Sequence, residues 1–150
     1  MEFPIAATAD FAIYSPMTYG EPIKLAEAKK IVAAAQTEAT KNGWNMAIAI
    51  VDSGANLVLL EKMDNTQLGS IDVCQQKATT SLKFKRPTKA IEDIIEKGGV
   101  GLKMLGMPGV IPVEGGELIL KDGKIIGAIG VSGALSAQDT QVAKAGLAAL

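Results

Sequence analysis

The chain contains no histidine, and that absence excludes more chemistry than any residue present supports. Histidine is the usual general base near neutral pH and the commonest ligand of zinc and haem iron. Without it there is no Ser-His-Asp or Cys-His catalysis and no histidine-containing zinc site. Gly130-Val131-Ser132-Gly133-Ala134 fails the nucleophile-elbow motif at its last position, and no imidazole exists to activate Ser132. Aromatic residues are scarce at 4%, and the net charge is only −1, so neither stacking platforms nor a basic patch for nucleic acid is present. A single cysteine, Cys74, rules out an internal disulfide and leans towards a cytoplasmic setting. No apolar run approaches the roughly 20 residues that span a bilayer, and the opening MEFPIAATADF carries no basic, signal-like start. The expectation is a soluble, cytoplasmic protein with no nucleic-acid or membrane partner.

The 150 residues, 48% hydrophobic and 21% charged, suit one folded domain. Residues 1–22, with Pro4, Pro16, Gly20 and Pro22, read as an irregular N-terminal arm placed to lie across a neighbour; residues 23–150 read as a single domain. Leu25, Ala28, Val32, Ala35 and Ala39 form the apolar stripe of a helix that Asn42-Gly43 stops. Residues 46–51 read as a buried strand, and Asp52 to Asn56 as a turn into a returning strand at 57–60. Ile71, Cys74, Ala78 and Leu82 mark a second helix. Pro87 opens a third, whose inner face carries Ala90, Ile91, Ile94 and Ile95. A further helical turn over 100–105 and two or three strands from Val110 to Ser132 follow, then a final helix from Ser136, buried along Val142, Ala145 and Ala149. Asp122-Gly123 favours the type I′ turn of a hairpin. The fold predicted is α+β in the order αββαα(α)βββα: an antiparallel sheet of about five strands with helices on both faces.

Gly127, Gly130 and Gly133 recur where strands prefer branched side chains, and Gly115-Gly116 precedes the same sheet segment. Glycines so placed mark close approach by a backbone or a ligand, and their N–H groups suit an anion. They are read here as the wall of a ligand pocket, with turns and tight helix packing as the alternative. Lys77 reads either as a cation for a ligand carboxylate or as a lysine snorkelling to the surface. Asp139 reads either as a ligand contact or as a carboxylate favoured in the first helical turn, with Ser136 as N-cap. Met104 and Met107 are thioethers within reach of a metal in principle, though core filling is their commoner use. Cys74 reads as a small buried hydrophobe.

Taken together, KLAEAKKIVAAAQTEATKNGWNMAIAIVDSGANLVLLEKMD, CQQKATTSLKF, EGGELIL and KIIGAIGVSGALSAQD resemble the GlcG/HbpS family, which includes the C-terminal domain of PduO-type cobalamin adenosyltransferases. The resemblance covers residues 23–150. It implies a five-stranded antiparallel sheet between helices and homo-oligomers from dimers to octamers, with haem or another tetrapyrrole such as a corrinoid as ligand. It also implies a threonine near the iron, matched by Thr80. The implied ligand-binding set is Lys77, Thr80, Gly115 and Gly116, with Gly130, Ser132, Gly133 and Asp139 from the later segment. Lys62 stands where the family has arginine, and Leu118 where it has proline. The function expected is weak haem or tetrapyrrole binding without histidine ligation. A metal-free enzyme for a small hydroxy or organic acid, and an accessory protein of a cobalamin-dependent diol or glycerol pathway, remain alternatives.

Overall fold

The computed structural model describes residues 15–150; the first part of the arm expected over residues 1–22 lies outside the described residues. Helix α1 (Leu25–Lys41) is followed by strands β1 (Ala47–Asp52) and β2 (Leu57–Lys62), then by helices α2 (Gly69–Phe84) and α3 (Thr88–Glu96). A 3-10 helix (Gly99–Gly106) leads to β3 (Gly116–Lys121), β4 (Lys124–Ser132) and α4 (Ser136–Leu147). The strands form one antiparallel sheet in the order β2-β1-β4-β3.

Alternation along β1 and β4 decides what each face holds. Ile48, Ile50, Ile129 and Val131 point towards α1 and α4 and join Ile31, Val32 and Val142 in the larger core. The other face sets the small Ala47, Ala49 and Ala128 beside Val51, Leu118 and Ile125, and meets Cys74, Ala78 and Leu82 of α2. The result is three layers, α1 and α4 below the sheet and α2 above it. Most of α1's stripe is buried as expected; Ile31 replaces Leu25, which is 49% exposed. Asp52 closes the first hairpin by accepting from the amides of Gly54 at 2.8 Å and Asn56 at 3.0 Å. Asp122 and Gly123, with φ of 51° and 73°, make the second turn in the left-handed region, as Asp-Gly predicts.

Three expectations are corrected. Among the described residues there are four strands, not about five. The stretch before β3 does not pair as a strand: Pro112 offers no amide, and Ile111 donates its N–H to the Thr80 hydroxyl at 3.1 Å. Residues 18–23 instead take the ladder positions beyond the end of β1, with Gly20 N–H donating to Ile125 O at 2.8 Å and Ile23 N–H to Ile126 O at 2.9 Å. They form one isolated bridge, Tyr19 to Ile125, so this part of the arm lies on its own chain. In α3 only Thr88 and Ile91 are buried, and Ala90, Ile94 and Ile95 are half-buried. The last helix buries Asp139, Val142, Ala143 and Gly146 rather than Ala145 and Ala149, because Gly146 fits against Ile31 and Ala35 of α1.

Candidate functional site

Lys77 and Asp139 lie 62 residues apart in sequence and meet in the interior. The Lys77 Nζ donates to Asp139 Oδ2 at 2.8 Å and to the carbonyl of Val131 at 3.0 Å. The two residues are 1% and 2% exposed. Asp139 Oδ1 accepts the amide of Ala134 at 3.1 Å, so one carboxylate joins α2, the end of β4 and the start of α4. Burial pushes the Asp139 carboxyl above the usual range, while the Lys77 charge and the amides of Ala134 and Gly133 hold it back. Neither sequence reading of Lys77 describes this arrangement: it is not a surface lysine, and its ammonium is already matched. Asp139 does occupy the first turn of α4, but the first-turn N-cap expected of Ser136 falls to Leu135, whose N–H donates to Gln138 Oε1 at 3.1 Å.

The glycines explain how the pair is enclosed. Gly115 has φ +123°, and a Cβ there would lie 2.8 Å from Lys77 Nζ and 2.9 Å from Asp139 Cβ. At Gly130 a Cβ would meet the carbonyl of Cys74 and, at 2.6 Å, the amide nitrogen of Ala78. Gly116 lies against the backbone of Lys77, and Gly133 against that of Asn45 and Met46. The hollow expected beside Gly130–Gly133 is therefore filled in this chain by α2 itself, because glycine lets a helix backbone settle directly on the strand. Ser132 lies on the same face, its hydroxyl donating to Ser70 Oγ at 3.0 Å. Lys77, Ser132, Gly115, Gly116, Gly130, Gly133 and Asp139 thus come together as one packed junction.

Thr80 stands apart from that junction. One turn further along α2, its hydroxyl donates to Gly109 O at 3.2 Å and accepts from Ile111 N–H at 3.1 Å. It holds the segment that carries Met104, half-buried, and Met107, 40% exposed. Sequence reasoning missed Thr88, fully buried, which accepts the amide of Gly116 at 2.9 Å; only its place after Pro87 hinted at it. Burial raises the Cys74 thiol to about 12, in keeping with its reading as a buried hydrophobe. Among the described residues no group of three or more His, Cys, Asp or Glu side chains could hold a metal ion. A half-open cavity of about 310 Å³ lies elsewhere, between Lys24, Glu27 and the β3–β4 turn at Lys121 and Lys124.

The model of the haem-degrading HbpS-like proteins matches residues 23–148. The chain belongs to the HbpS-like family. Protein GlcG of Escherichia coli K12 is 42% identical over 105 residues, 70% of this chain and 77% of GlcG. The crystal structure of HbpS superimposes with a TM-score of 0.80 at 27% identity, covering 90% of this chain and 94% of HbpS. The crystal structure of a PduOC:haem complex gives 0.79 at 25% identity, covering 86% of this chain and 95% of that one. The α+β architecture is that of these relatives. No helix among the described residues is long and apolar enough to cross a membrane.

Proposed function

We propose that this protein binds haem, or a related tetrapyrrole such as a corrinoid, weakly and exchangeably, at the surface where α2 meets residues 109–111. The observation that carries the reading is the match of 86% of the chain to a fold that holds haem in PduOC. The residues present fit a surface-bound group rather than a caged one. With no imidazole, the donor at this surface is the Thr80 hydroxyl, with the thioethers of Met104 and Met107 further along the segment it holds, all weaker iron ligands than histidine. Val100 and Leu105, 79% and 62% exposed, leave apolar surface on the adjoining 3-10 helix for a macrocycle, and exposed Lys103 offers a cation to a propionate.

When bound, haem supplies the redox chemistry; this chain supplies orientation and partial exclusion of water. Lys77 and Asp139 serve the site by fixing α2 against β4 and α4. Gripping a substrate carboxylate with Lys77 would mean breaking a buried ion pair, so the organic-acid enzyme gains no support from the geometry. Leu68 and Leu135, 81% and 71% exposed, flank the end where Ser70 and Ser132 meet, which favours assembly of this chain into a homo-oligomer. Titration of the purified protein with haemin, followed by absorbance, tests the proposal. A saturable Soret shift, reversed by competing apomyoglobin, is expected; a shift that never saturates overturns it.

A further inference from the structure

The stretch after α3 is held to the molecule differently from every other element. Gly98, Gly99 and Gly109 have φ of 71°, 62° and 72°, left-handed joints near both ends. None of residues 99–113 is buried. Gly101 rests against the carbonyl of Ile94, but that contact stays within the neighbouring α3 and does not reach the sheet. Two hydrogen bonds join this strip to α2, both at the Thr80 hydroxyl: one to Gly109 O and one from Ile111 N–H. Thr80 itself is fully buried on a helix seated directly on Gly130. The strip thus meets the fixed post of α2 through one hydroxyl. Segments with few buried contacts and few hydrogen bonds open at lower free energy than the whole fold.

We propose that residues 98–113 form a hinged flap latched by Thr80, and that unlatching is the step that opens the Thr80 hydroxyl to a ligand. The identity of that ligand rests on the haem reading above; the flap rests on the geometry alone. A threonine hydroxyl has one donor and two acceptor positions. The latch consumes the donor and one acceptor, and with the hydroxyl fully buried a ligand reaches the remaining acceptor only when the flap moves aside. Flap closure lowers ligand affinity, and ligand occupancy holds the flap open.

Hydrogen–deuterium exchange on the full chain without ligand tests this. Peptides covering 98–113 should exchange ahead of those covering 69–84 and 124–132. Thr80→Val, close in shape but without the hydroxyl, should speed exchange in 98–113 by about tenfold, the effect of losing two ordinary hydrogen bonds, and leave the rest unchanged. Thr80→Ser keeps the hydroxyl and should match the unaltered protein. Exchange of 98–113 in step with the core, or a Thr80→Val variant with no local effect, overturns the flap. If Thr80→Val fails to fold, exchange of the unaltered protein in rising urea decides. Opening of 98–113 with a weaker urea dependence than α2 supports the flap, and merging with global unfolding overturns it. Local acceleration in Thr80→Val, together with no saturable haemin binding by the unaltered protein, leaves the flap standing and removes haem.

Discussion

Replacing Lys77 by methionine would leave the Asp139 carboxylate in the interior with two backbone amides and no counter-charge. Replacing Asp139 by leucine would strand the Lys77 ammonium, 1% exposed, on the Val131 carbonyl alone. Removing one member of a buried pair typically costs about 3–5 kcal/mol, because the survivor keeps its desolvation penalty. For a chain of this size, that is a fall in Tm of about 6–20 °C. The double variant Lys77→Met/Asp139→Leu removes both charges, so it should lose less than either single change. Urea denaturation at one fixed protein concentration, followed by the fluorescence of Trp44 and by circular dichroism, measures all four proteins. Single losses under about 1 kcal/mol, the value of an exposed pair, would refute the reasoning. So would losses that simply add in the double variant.

Gly130→Ala should destabilise by about 1–3 kcal/mol or more, since its Cβ would press on the Cys74 carbonyl and the Ala78 nitrogen, whereas Gly69→Ala, with nothing within 4 Å, should be neutral or slightly stabilising; the same urea curves compare them. Cys74 should resist iodoacetamide at pH 8 in the folded protein and react once urea unfolds it, as peptide mass spectrometry will show, because its thiol is raised to about 12. Burial raises the Glu117 carboxyl, with Glu114 adding to the rise and Lys144 opposing it. The folded state then binds that proton more tightly than the unfolded one, so this group's contribution to stability falls as pH rises from its unfolded value through its raised folded value. Glu117→Gln should therefore be more stable than the parent at pH 7, with a smaller advantage at pH 4, by urea titration at both values.

Local signals carried much of the fold. The three-and-four spacing of α1, the Asp52 turn, Asp122-Gly123 and Pro87 each act within a few residues, and each element formed where its sequence placed it. The strand expected before β3 failed for a non-local reason: Ile111 spends its amide on Thr80, 31 residues earlier. In α4, Gly146 rather than Ala145 faces α1, since close helix packing selected the smallest residue instead of the more apolar one. The site was legible as a set of residues and not as a geometry. Lys77, Gly115, Gly130 and Asp139 do come together, yet nothing near Lys77 announces a partner 62 residues away. Glycine spacing alone does not distinguish a hollow from a helix resting on a strand; only the position of α2 decides that.

The location of the ligand is what most needs measuring, and ferric haemin reports it through paramagnetic broadening of nuclear magnetic resonances. In a haemin titration of labelled protein, signals of Thr80, Gly109 and Ile111 should broaden first and saturate together. Those of Ile31 and Val32, buried on the other side of the sheet, should persist. Saturable broadening centred anywhere else, or none at all, would contradict the placement of a tetrapyrrole at the Thr80 latch.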